Sequence, residues 1–133
     1  MGKFTLSPAL RRYARWSQMQ LQDPIKPIRR VCMELPNVEE RLSHGAPTFF
    51  HIKGKSFVMY VGEHHGERLA VWIAAAPGAQ EALIQSAPDR FFKPPYVGVR
   101  GWIGVYLDRD VDWDDLADLL NEAYKSTIHA KKR

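Results

Sequence analysis

The chain has 133 residues, a net charge of +4 and 45% apolar residues. That length is one domain's worth, enough to bury roughly two-thirds of the unfolded surface in a core of its own. An apolar share this high excludes a disordered chain, the single cysteine, Cys32, excludes an intramolecular disulfide, and no apolar run approaches the ~20 residues of a membrane-spanning helix.

Pro8–Gln22 reads as an amphipathic helix: Leu10, Tyr13 and Ala14 share one face while Arg11, Arg12 and Arg15 fall on another. Asp23-Pro24 ends it, so residues 1–24 are expected to form a basic helical extension and residues 25–133 the domain proper. Pro27–Leu35 is a second predicted helix, with Ile28, Val31, Cys32 and Leu35 spaced as one buried stripe and Pro27 in the first turn, where a missing N–H does no harm. Leu35-Pro36-Asn37 closes it.

Val38–Ser43 reads as the first strand and His44-Gly45-Ala46-Pro47 as a turn. Thr48–Ile52 and Lys55–Val61 are two strands joined by a tight Lys53-Gly54 loop, with Gly54 expected to supply a positive φ. Phe57, Met59 and Val61 alternate with Val58 and Tyr60, so both faces of that strand are apolar and it belongs in the middle of a sheet. After a polar loop, Gly62–Glu67, a strand is predicted over Arg68–Ala75. Pro77-Gly78 opens a short helix, Ala79–Ser86, which Ala87-Pro88 stops. Pro94-Pro95 cannot lie inside a central strand. Trp102–Leu107 is the last predicted strand. Asp112 caps a final helix, with Asp115 in a capping-box-like position and Trp113, Leu116, Leu120, Ala123 and Tyr124 on its apolar face. This order implies an α+β fold: a single antiparallel sheet with helices packed on one face.

Charge is polarised along the chain. Residues 1–31 carry seven bases against one acid, and residues 108–122 carry seven acids against one base. A basic face offered to an anionic partner follows, as does a fold that neutralises part of itself. One thiol and no disulfide fit a reducing compartment, and the expected location is cytoplasmic. Residues 1–21 hold no apolar signal core, so no secretory signal is expected, although an Arg-rich amphipathic start is also what a transit peptide looks like.

No nucleophile elbow, phosphate-binding loop or metalloprotease motif occurs, so the chain is expected to be no enzyme and to have no catalytic residues and no cofactor. Cys32 lies at a core position of its helix and reads as a structural thiol. Glu63-His64-His65 does not make a metal site, because neighbouring residues on an extended segment point apart and no second ligand cluster exists. The acids from Asp108 to Asp118 read as helix capping and a solvated face. The bases carry the functional case. Lys53 and Lys55 flank a hairpin tip, and Arg90, Lys93 and Arg100 flank a rigid excursion around Pro94-Pro95-Tyr96. Cations on projecting turns reach phosphates. Phe91, Phe92, Tyr96 and Trp102 lie among them either as stacking platforms or as core. His44, Tyr96 and Trp102 form a further candidate pocket.

Leu35-Pro36-Asn37-Val38-Glu39-Glu40, Gly45-Ala46-Pro47-Thr48-Phe49, Gly54-Lys55-Ser56-Phe57, Pro94-Pro95-Tyr96-Val97, Gly101-Trp102-Ile103-Gly104-Val105 and Leu119-Leu120 through Tyr124, in this order, resemble the signature of the MmcQ/YjbR family over about Pro27 to Ile128. The resemblance implies a CyaY-like, secretion-chaperone-like fold and a DNA-binding role through two β-hairpin wings, here the Lys53-Gly54 hairpin and the Arg90–Arg100 excursion. It transfers no catalytic residue. Two partners are therefore in view: double-stranded DNA, or a protein chain bound by a chaperone-like module. No membrane partner is expected, and the chain is expected to be a monomer or weak homodimer.

Overall fold

The structure, a computed structural model, describes residues 23–62 and 68–128. The predicted helix Pro8–Gln22 and the His64-His65 pair lie outside those residues. Three helices and six strands follow in chain order: α1 (Ile25–Met33), β1 (Val38–Ser43), β2 (Ala46–His51), β3 (Ser56–Val61), β4 (Ala70–Ile73), α2 (Ala79–Ser86), β5 (Phe91–Phe92), β6 (Ile103–Tyr106) and α3 (Trp113–Thr127). The strands form one antiparallel sheet in the order β1-β2-β3-β4-β6-β5, so the fold is α+β as expected.

Register builds the core. Phe49 pairs with Val58, Val58 with Ile73 and Ile73 with Ile103, a row of apolar side chains across four strands. All four are buried, and α1 and α3 pack on this face. The packing brings Arg29 of α1 to Glu40 of β1 at 2.6 Å, and Tyr124 and Thr127 of α3 to His51 of β2. β3 carries a bulge. Phe49 pairs with Val58 while the next residue, Phe50, pairs with Ser56, leaving Phe57 as the extra residue. Phe57 therefore departs from the simple alternation and turns to the helix face beside Val58, its ring 5.6 Å from that of Tyr124. The next row points the other way: Thr48, Met59, Trp72, Gly104 and Phe92.

Turn chemistry departs from the sequence reading at two places. Only His44 and Gly45 form the β1–β2 turn, both at positive φ (52° and 80°), the backbone a two-residue hairpin demands, and Ala46 and Pro47 already belong to β2. In the β2–β3 loop the positive φ falls on Lys53 (60°), not on Gly54. Gly54 is needed for closeness instead: a Cβ there would sit 3.0 Å from the Cβ of His51. α1 begins two residues earlier than expected, with the Ile25 N–H donating to Asp23 Oδ1 at 3.2 Å, and Asn37 at φ 58° turns the chain into β1. Asp112 caps α3, its Oδ1 accepting from the Asp115 N–H at 3.0 Å.

Candidate nucleic-acid interface

Antiparallel order fixes which loops share an end of the sheet. β2 and β6 enter or leave their loops so that the β2–β3 tip (Ile52–Lys55) and the β5–β6 excursion (Lys93–Trp102) project from the same end. Three strand spacings of ~4.8 Å separate them, about 14 Å. Lys53, Lys55, Lys93 and Arg100 are thus brought together at one end, and among the described residues none of the four pairs with a carboxylate.

The excursion is buttressed. After Phe92 the chain passes Pro94-Pro95, makes a single 3-10 turn over Val97–Arg100 and returns through Gly101 at φ 89°. Gln80 of α2 is buried, and its amide donates to Gly98 O at 2.8 Å and to Trp102 O at 2.5 Å, pinning both limbs. Gly98 is required because the Lys93 stem lies across it, where a Cβ would come within 2.8 Å of Lys93 Cγ. Trp102 is 6% exposed and Phe91 is also buried, so both are core. Tyr96 is 86% exposed and Val99 82%. No local signal announces Gln80 in the sequence, where it reads as a polar helix surface position.

Arg90 stands apart. It precedes β5 at the opposite end of the sheet, donates to Asp115 Oδ2 at 2.7 Å and lies over the Phe91 ring. Arg68 and Arg109 are at that end too. Arg68 grips Asp108 with two hydrogen bonds, at 2.6 and 2.7 Å, and its guanidinium lies 3.9 Å from the Tyr106 ring centroid. These bonds hold the Asp108 carboxyl below its ordinary pKa. Arg109 also approaches Asp108, at 3.6 Å, and donates to the Asp89 carbonyl. His44 is in the β1–β2 turn at this same acidic end, so the structure does not bring it to Tyr96 and Trp102.

A shallow hollow of ≈ 210 Å³ lies on the sheet face away from α1 and α3, lined by Arg68, Trp72, Phe92, Pro95 and Tyr106. Phe92 stacks on Tyr106, centroids 4.5 Å apart, and covers Gly104 so closely that a Cβ there would overlap the ring. Cys32 is fully buried on α1, and burial pushes its thiol well above the ordinary range. His51 is pushed the other way: burial favours its neutral ring, opposed by a hydrogen bond involving the Tyr124 backbone.

The YjbR family model matches residues 33–126, well over half of the chain. The chain belongs to the YjbR family. Its fold is similar to the crystal structure of Deinococcus radiodurans protein DR2400, of domain family DUF419, with a TM-score of 0.68 and 21% identity over 80% of this chain and 79% of that one. No curated protein matches the chain. The family match begins at the end of α1 and stops within the last turn of α3, so it takes in both projecting loops and the whole sheet.

Proposed function

We propose that this YjbR-family chain is a non-catalytic DNA-binding protein that holds phosphates with the end of its sheet carrying the β2–β3 tip and the Lys93–Trp102 excursion. One observation supports this reading: two separate loops bring Lys53, Lys55, Lys93 and Arg100 to a common end without carboxylate partners among the described residues, while Asp108, Asp112 and Asp115 lie at the other. Two tips about 14 Å apart match the ~12 Å width of a major groove, so each can meet one phosphate wall. Contacts of this kind position a duplex without reading its sequence. Fluorescence anisotropy with duplex DNA across a salt series tests it. Log affinity should fall linearly with log salt, by about 0.9 per phosphate neutralised, and changing Lys53 and Lys55 together to Ala should flatten the slope by roughly one to two units. Wild-type protein that fails to bind at low salt would overturn the reading.

A second reading, a protein-binding module, is favoured by a different observation. Met33, Ile52, Tyr96, Val99 and Ile128 are exposed and apolar, and all lie at this same end. It predicts an affinity for a partner chain that changes little with salt. In either reading the chain acts as a monomer or a weak homodimer.

A further inference from the structure

Tyr96 combines three properties that no other ring among the described residues combines. It is 86% exposed, whereas Trp102 and Phe91 beside it are buried. Its backbone is held at φ 64°, ψ −73°, with the Val97 N–H donating to Pro95 O at 2.7 Å. That is a γ-turn of the positive-φ kind, rare and strained for a residue with a Cβ. And it stands between Lys93 and Arg100, both exposed and without a described acidic partner. A ring this exposed contributes little to the core, yet a large side chain occupies a backbone site that suits Gly. The buried Gln80 amide, the Lys93 stem across Gly98 and the prolines on the approach hold the turn in place, so the ring is presented on a rigid support.

From this geometry we propose that Tyr96 is a base-stacking residue, and that the excursion binds DNA with unpaired bases, such as a single strand or an overhang, in preference to blunt duplex. The inference rests on the nucleic-acid reading above and narrows it. An exposed aromatic offers a face to any base, while Lys93 and Arg100 hold the flanking phosphates. Aromatic stacking with cationic flanks is how sequence-tolerant single-strand sites are built. In a duplex the same ring meets only base edges and backbone, so it adds little there.

The test compares a single-stranded oligonucleotide with the blunt duplex of the same length, at low salt, for the wild type, Tyr96→Phe, Tyr96→Ala and Tyr96→Gly. The wild type should favour the single strand. Tyr96→Ala and Tyr96→Gly should weaken single-strand binding by roughly 5- to 100-fold, leave duplex binding and the salt slope unchanged, and Tyr96→Phe should bind like the wild type. A 2-aminopurine base in the strand should be quenched by the wild type and Tyr96→Phe but not by the two variants lacking the ring. Tyr96→Gly removes the backbone strain, so it guards against a result caused by misfolding. Equal losses on both substrates, or no loss on the single strand, would overturn the stacking role while leaving phosphate binding in place. A wild type that binds neither substrate at low salt would overturn both.

Discussion

The two ends of the sheet carry similar numbers of cations and treat them in opposite ways. At the acidic end Arg68, Arg90 and Arg109 each meet a carboxylate, and all three lie over aromatic rings of the sheet's own strands. At the hairpin end Lys53, Lys55, Lys93 and Arg100 meet none among the described residues. A carboxylate within hydrogen-bond reach neutralises a cation's field locally and fixes its position, so an arginine already bound internally is a poor contact for a phosphate. The lesson is that a basic composition says little until the pairs are known. Arg90 read as part of the interface in the sequence, yet Asp115, twenty-five residues on, claims it.

The largest losses should come from the two buried tryptophans, Trp102 at the hairpin end and Trp113 at the acidic end. Trp102→Ala should cost about 3–5 kcal/mol, and Trp113→Ala a similar amount, since both rings are buried. Chemical denaturation would measure the loss, and unchanged midpoints would contradict the packing described. Gln80→Ala is the sharper cut. It leaves two carbonyls of the excursion without their donor, a loss of about 1–3 kcal/mol, and should speed amide hydrogen exchange at Gly98 and Gly101 while leaving the β1–β2 hairpin protected. Tyr96→Gly should act in the other direction, raising stability by about 1 kcal/mol as the positive-φ strain is released, visible as a higher melting temperature. Stability gained as affinity falls would mark the strain as serving the interface.

A smaller effect comes from His51, whose ring accepts or donates a 2.7 Å hydrogen bond with Thr127 and packs between Phe57 and Tyr124. Its pKa in the folded protein lies below the ordinary value of 6.5. The unfolded chain therefore binds a proton that the folded one refuses. Stability should be full above pH 6.5 and decline as pH falls below it, until the folded ring is protonated too. His51→Gln should flatten that part of the pH–stability profile, and an unchanged profile would place the titration elsewhere. Smallest of all, Arg68→Ala should leave affinity for DNA and its salt slope unaltered, because its charge is committed to Asp108 and exposed pairs contribute little to stability.

How much was legible follows from the range of each determinant. α2 was readable to the residue because Pro77-Gly78 and Ala87-Pro88 bracket it locally. The apolar alternation of β3 placed it centrally, and it is the third of six strands. The bulge at Phe57 was not legible, since it depends on how β3 meets β2 and not on its own pattern. β5 is two residues long and exists only through its pairing with β6 and the seat of Phe92 on Gly104. The cationic tips were legible as turns with lysines. Their arrival at one end, Gln80's hold on the excursion and the capture of Arg90 all required tertiary contacts.

The most direct measurement of the central claim is the salt dependence of DNA affinity for three proteins: the wild type, Lys53→Ala/Lys55→Ala and Arg68→Ala/Arg90→Ala. The log–log decline should be linear for the wild type, flattened by roughly one to two units when Lys53 and Lys55 are removed, and of wild-type slope when the paired arginines are removed. A slope that responds to the arginines and ignores the lysines would contradict the claim.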